Sequence, residues 1–209
     1  MMAPAPVPAI APGGASARVP EGRLVYLMGA SGSGKDTILR GVRASLTNED
    51  GVKVATRFIT RAPSADEPSI ELSIDAFARL REQGAFALCW EGHGLGYGIG
   101  TEIDAWLARG NTVIVNGSRH YVAAAYARYP KMLAVEIAVD SEVLRARLNA
   151  RGRESSAAIA QRLTRASAPY DRPQGLCVAT LDNNGPAGRA ASALLQLARD
   201  ARGALGRRA

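Results

Sequence analysis

The segment Gly29-Ala30-Ser31-Gly32-Ser33-Gly34-Lys35-Asp36-Thr37 gathers glycines, hydroxyls, an ammonium group and a carboxylate into one short stretch. Glycines at this density let successive backbone N–H groups curl around a polyphosphate without Cβ clashes. A helix opening at Gly34–Lys35 would aim its positive end at the same anion. Lys35 is then the residue to reach the β and γ phosphates and to follow their charge during transfer. The pattern GxxxxGK[ST] is met at Gly29, Gly34 and Lys35 and missed at its last position, where Asp36 stands. The plain alternative is a glycine-rich turn with an exposed lysine; the apolar run before it and the helical pattern after it favour ATP.

A carboxylate beside a triphosphate is repelled unless a cation lies between them. Asp36 is therefore expected to touch Mg²⁺, directly or through water, with the Thr37 hydroxyl close by. Many phosphate-loop enzymes carry an aspartate at the end of a neighbouring strand for this purpose. Here the candidate strand Thr112–Val115 ends in Asn116-Gly117-Ser118, without an acid. One carboxylate has in effect moved from strand to loop. The competing reading of Asp36, a counter-charge for the first turn of its helix, stays open.

Arginines form the second constellation. Arg147 and Arg151 are four apart and share a helix face, where like charges repel slightly. Arg153 follows, and Arg162 and Arg165 fall on the next helix. An anion between these helices turns the repulsion into charge-assisted hydrogen bonds, so they read as a lid over a transferring phosphoryl group. Solvated helix faces are the alternative. Arg57 and Arg61, at a strand end, are placed to clamp an acceptor phosphate. Tyr97 lies among Gly92, Gly94, Gly96, Gly98 and Gly100, a spacing expected where backbone approaches a ligand. His93 and His120 lack metal-ligand spacing, and Glu91 is a weak candidate for a substrate hydroxyl.

These residues need a frame. Leu24–Met28, Val52–Ile59, Phe86–Trp90, Thr112–Val115, Leu133–Val139 and Leu176–Leu181 read as strands. Helices are expected from Lys35, over Asp75–Arg81 and Glu102–Ala108, after Asp140 or Ser141, after Ser155 or Ser156, and over Gly188–Arg202, with Pro63–Pro68 as a loop. This alternation predicts an α/β fold with a mostly parallel sheet and helices on both faces. The first 21 residues, rich in proline and alanine, read as a disordered leader rather than a secretory signal. One domain is expected over 22–203, with a basic tail at 204–209. Lys and Arg exceed Asp and Glu by 26 to 19, a net +7 to which the tail contributes. Aromatic residues make up only 5% of the chain, too few in a basic setting for a nucleic-acid stacking surface. No apolar run approaches the roughly 18–20 residues of a membrane span. Cys89 and Cys177 form no CxxC or Cys/His cluster, so a cytoplasmic location is expected.

The segments LMGASGSGKD, RFITRAP, FALCWEGHGLGYGIGTEIDAWL, VIVNGSR, LNARGRE with QRL, and LDNNG resemble the guanylate-kinase-like branch of phosphate-loop kinases. Within it they are most similar to the ribose 1,5-bisphosphate phosphokinases of phosphonate breakdown. The likeness runs from about residue 23 to 185. It implies a three-layer kinase with an acceptor-binding segment near 57–100 and a lid near 148–156. The implied reaction carries the γ-phosphoryl of ATP to ribose 1,5-bisphosphate, giving 5-phosphoribosyl 1-diphosphate and ADP. It assigns Arg57, Arg61, Tyr97 and Ser118 to the acceptor, Lys35, Arg147, Arg151 and Arg162 to catalysis, and Asn183 to the adenine region. The guanine-reading glutamate of true guanylate kinases aligns near Cys89, which argues against GMP as the main acceptor. A nucleoside monophosphate kinase is the nearest rival, and a non-catalytic binding module the next. Oligomeric state stays open.

Overall fold

Leu24–Met28 forms β1, and its five residues are all buried, as a continuous apolar run in a two-sided parallel sheet requires. Alternation splits them: Leu24, Tyr26 and Met28 enter one core, Val25 and Leu27 the other. The computed structural model describes residues 22–62, 68–152 and 155–206. The expected leader at 1–21, all but Pro68 of the expected loop Pro63–Pro68, Arg153, the side chain of Arg151 and residues 207–209 lie outside the described residues.

From β1 the chain enters α1 (Lys35–Ser45) and, after a 3-10 turn, β2 (Val52–Val54), β3 (Arg57–Ile59) and β4 (Ser69–Glu71). Helix α2 (Ile74–Glu82) precedes the hairpin of β5 (Phe86–Gly92) and β6 (Leu95–Gly100). Then come α3 (Glu102–Ala108), β7 (Thr112–Asn116), a 3-10 turn at Arg119–Tyr121, α4 (Val122–Arg128) and β8 (Leu133–Ala138). Helices α5 (Ser141–Arg151) and α6 (Ser156–Ser167), β9 (Val178–Asp182) and α7 (Ala187–Gly206) complete it. α7 thus continues to Gly206, three residues past the expected boundary at 203.

The main sheet is wholly parallel, ordered β2-β7-β1-β8-β9. Helices α1 and α7 cover one face, where Ile38, Leu39, Val42, Leu194 and Ala198 meet Val25, Leu27, Ile114 and Val135. Ile103 of α3, Val122 and Ala125 of α4, and Leu88, Trp90 and Ile99 of the hairpin cover the other. The three-layer α/β expectation therefore holds.

The expected strand Val52–Ile59 is two strands in two sheets. β2 pairs with β7, whereas β3 joins a mixed sheet ordered β4-β3-β6-β5. Ala55 and Thr56 make the crossing, with the Ala55 N–H held by the Ile114 carbonyl at 2.9 Å. This second sheet, with α2, occupies the stretch near 57–100. Two of its alternating glycines make room for aromatic rings: a Cβ at Gly96 would meet the Phe77 ring at 2.8 Å, and one at Gly98 the Phe86 ring at 2.6 Å. No helix among the described residues is long and apolar enough to cross a membrane.

Candidate active site

The loop between β1 and α1 is shaped by glycines that cannot be replaced without strain. Gly32 and Gly34 have φ of 90° and 93°, in the left-handed region. A side chain at Gly32 would also press on Leu148 and Leu144 of α5, at 3.0 and 3.2 Å. One at Gly34 would meet the Asn183 amide nitrogen at 2.6 Å. Asn183 is buried, and its Nδ2 donates to the Ser33 carbonyl at 2.7 Å. It braces the loop from beneath. Its neighbour Asn184 accepts from the Asp140 N–H at 2.8 Å through Oδ1, tying the start of α5 to the same turn.

Lys35 opens α1 and bends back, donating to the Gly29 and Ala30 carbonyls at 2.8 and 3.0 Å. Burial pulls its pKa from 10.5 down to about 8; Asp36 opposes this, and Arg57 and Arg119 reinforce it. A polyphosphate in the loop supplies the negative charge that this ammonium lacks.

Asp36 turns toward the end of β7 and Arg57. Its Oδ1 accepts from Asn116 Nδ2 at 2.8 Å and lies 3.9 Å from Arg57 Nη2. Asn116 ends β7, at the position where the sequence lacks a carboxylate, and its own Oδ1 is buried without a partner among the described residues. The divided carboxylate site is thus one site in space. Its donors are hard: a carboxylate 37% exposed and, next in the helix, the Thr37 hydroxyl, with the buried Asn116 amide oxygen behind them. Mg²⁺ takes one or two carboxylates and completes its shell with water and phosphate oxygens, so these residues fit it. No group of three or more His, Cys, Asp or Glu is gathered among the described residues.

Arg57 is held from two sides. Besides Asp36, its guanidinium lies over the Tyr97 ring, 5.0 Å from the centroid. Tyr97 stacks on Trp90 (5.5 Å, 10°), and Trp90 stacks on Tyr121 (5.4 Å, 27°). Arg57 and Tyr97 are therefore together, as expected; burial lowers the Arg57 pKa, Asp36 and Tyr97 oppose this, and Arg61 adds a smaller push downward. Cys89 is partly buried, with its pKa raised by burial, and pairs with Gly98, on the face of the hairpin opposite Trp90 and Tyr97. A thiol there does not share a face with Arg57. Glu91, on the Cys89 face, takes Arg81 at 3.2 Å.

Ser118 is fixed by its backbone. The Tyr26 hydroxyl donates to its carbonyl and accepts from its N–H, both at 2.9 Å. A Cβ at Gly117 would run into the Tyr26 ring, which leaves glycine as the residue that fits. Desolvation pushes the Tyr26 pKa far up, so it stays a neutral donor.

The lid arginines diverge. Arg162 of α6 donates to Ser31 Oγ at 2.9 Å, over the loop. Arg147 of α5 donates to the Gly185 carbonyl at 3.3 Å, and its Nη1 is buried with no partner among the described residues. The backbone of Arg151 ends α5, before Gly152. Sequence reasoning missed Arg119, which clasps the last turn of α6 through the Ala166 and Arg165 carbonyls at 2.8 and 3.2 Å. It also lies 4.0 Å from Glu136, whose other oxygen accepts from the Tyr170 hydroxyl at 2.8 Å. Its only sequence signal was its place in VIVNGSR. Between α6, the loop and the ends of β8 and β9 lies a cavity of about 330 Å³ lined by Ala30, Ser33, Arg119, Glu136, Leu144 and Leu163 among others.

No family model matches the chain. It is 50% identical over 177 residues to the ribose 1,5-bisphosphate phosphokinase PhnN of Achromobacter xylosoxidans (strain A8), a match covering 85% of this chain and 92% of that one. It is 47% identical over 180 residues to the protein of the same name from Azotobacter vinelandii, covering 85% and 96%. Among solved structures, the guanylate kinase of Anaplasma phagocytophilum superposes with a TM-score of 0.61 at 17% identity, over 88% of both chains; this likeness concerns the fold.

Proposed function

Because this chain belongs to the ribose 1,5-bisphosphate phosphokinase family, we propose that it transfers the γ-phosphoryl group of ATP to ribose 1,5-bisphosphate, yielding 5-phosphoribosyl 1-diphosphate and ADP. The observation that carries the reading is the identity with these enzymes over nearly their whole length, joined to an intact Gly34-Lys35 phosphate loop.

In this reading the acceptor is a phosphate oxygen, already ionised near neutral pH. No general base is needed, and positioning and charge neutralisation carry the catalysis. Backbone N–H groups of Gly29–Gly34 and the Lys35 ammonium hold the β and γ phosphates. Arg162 reaches the transferring group from the lid and exchanges Ser31 for phosphate oxygens. Arg147 and Arg151 belong to the same lid. Arg57 and Arg61 hold the acceptor, with Tyr97 as the platform beneath Arg57 and Ser118 at the strand end. Asp36 and Thr37 would hold Mg²⁺, which would neutralise phosphate charge when bound. Closure of α6 and the second sheet excludes water and suppresses ATP hydrolysis. The reaction is placed in the cytoplasm, on a small sugar bisphosphate, with neither nucleic acid nor membrane as partner.

Steady-state ADP release with ribose 1,5-bisphosphate, GMP, AMP or no acceptor tests the assignment. A kcat/KM for the sugar exceeding both nucleotides supports it. GMP in first place would move the chain to the nucleotide kinases. Asp36→Asn should raise the Mg²⁺ concentration needed for half-maximal rate; an unchanged requirement leaves Asp36 as a counter-charge for its helix alone.

A further inference from the structure

Asn116 is 4% exposed, and among the described residues only half of its amide is used. A carboxylate can only accept, so the amide must present its NH₂ to Asp36, and its Oδ1 consequently faces elsewhere. A buried acceptor without a donor is costly to maintain, which makes Oδ1 a place where a ligand or its water belongs. Asp36, Asn116, Arg43 and Arg57 border a cavity of about 10 Å³. That is close to the space one water needs.

The choice of amide over acid is also explained. An aspartate at 116 would stand against Asp36 at hydrogen-bond distance, and two carboxylates so close cannot both ionise without a cation. With asparagine the pair carries a single charge, which Arg57 offsets at 3.9 Å before any ligand arrives.

We propose that Asn116 is a positioning residue of the nucleotide site. Nδ2 fixes one oxygen of Asp36, leaving the other for the divalent cation of the nucleotide, and Oδ1 accepts a hydrogen bond from a water of that cation. This rests on the kinase reading above, which assigns the nucleotide to the loop. It adds a residue that orients the metal-holding carboxylate without itself touching substrate.

The test is calorimetric binding of ADP with excess Mg²⁺ and again with EDTA, on the full chain. The ratio of the two dissociation constants reports the cation alone. Asn116→Ala should lower this ratio about tenfold, the scale of losing an outer partner of a metal ligand, while binding in EDTA stays the same. Asn116→Asp, of equal size, should move the ratio the other way, with weaker binding in EDTA and a larger gain from Mg²⁺. Opposite signs separate positioning from a merely structural role. The inference is overturned if both variants leave the ratio within about twofold of the parent, or if both lower it alike. Failure of the parent protein to bind ADP in either condition would instead remove the kinase reading, and this inference with it.

Discussion

Tyr97 offers the sharpest test of how the acceptor side is built. Its ring is a platform between Arg57, 5.0 Å from the centroid, and Trp90, stacked at 5.5 Å and 10°. A cation over a partly desolvated ring is worth about 0.5–2 kcal/mol. A parallel aromatic pair adds about 0.5–1.5 kcal/mol beyond its area. Tyr97→Leu removes both and keeps an apolar side chain, so unfolding in urea should show a loss of about 1–3 kcal/mol. The kinetic effect is narrower. Arg57 keeps Asp36 but loses its platform, so acceptor KM should rise about 5–30-fold, equivalent to about 1–2 kcal/mol. The KM for ATP should stay within about twofold, because Tyr97 supports Arg57, which the proposal places at the acceptor. Tyr97→Phe, which keeps the ring, should leave both constants near the parent values. The assay is two-substrate kinetics at saturating partner, beside the melting curves. An unchanged acceptor KM in Tyr97→Leu, or an equal rise in both KM values, would refute the placement of Arg57 at the acceptor.

Lys35 carries a cost of burial. Its folded pKa of about 8 lies below its ordinary 10.5, so between these values the unfolded chain binds more protons and stability rises with pH. Below pH 8 the cost is fully present; Lys35→Met should therefore be more stable than the parent at pH 7, by about 1–3 kcal/mol, yet inactive. The gap should close as pH climbs from 8 to 10.5, which denaturant titration at several pH values will read. Arg119→Gln deprives the last turn of α6 of its clasp; amide exchange in that helix should accelerate, and ATP hydrolysis without acceptor should rise. Gly34→Ala forces a side chain into left-handed backbone 2.6 Å from Asn183; it should lose about 1–3 kcal/mol of stability, read as a lowered melting temperature, and bind ATP weakly.

The parallel core was legible because its strands are buried on both sides. Leu24–Met28 has the bounds expected of it, and Thr112–Val115 needed only Asn116 added. Helix α1 begins at Lys35 as its pattern predicts, and Glu102–Ala108 coincides with α3. The second sheet was hard to read because its strands are short and its signals are weak. Ser69–Glu71 is a three-residue edge strand with a polar sequence, and Arg57–Ile59 continues an apolar run that local pattern assigns to Val52. Helix α4 is rich in alanine and its period is faint, so Val122–Arg128 carried no signal. The Phe77 and Phe86 rings that fill the space beside Gly96 and Gly98 come from α2 and β5, which the spacing of the glycines does not report. Lys35, Asp36 and the loop announced themselves by spacing. Asn116, Arg119 and the Trp90–Tyr97–Tyr121 stack act across sheets and helices, where no local pattern reports their contacts.

The reaction itself is tested most directly by a phosphorus NMR time course with Mg·ATP and either ribose 1,5-bisphosphate or GMP. The account predicts that the sugar's 1-phosphate signal gives way to a coupled diphosphate pair as ATP becomes ADP, with little change when GMP is the acceptor. Rapid GDP formation with no diphosphate on the sugar would contradict it.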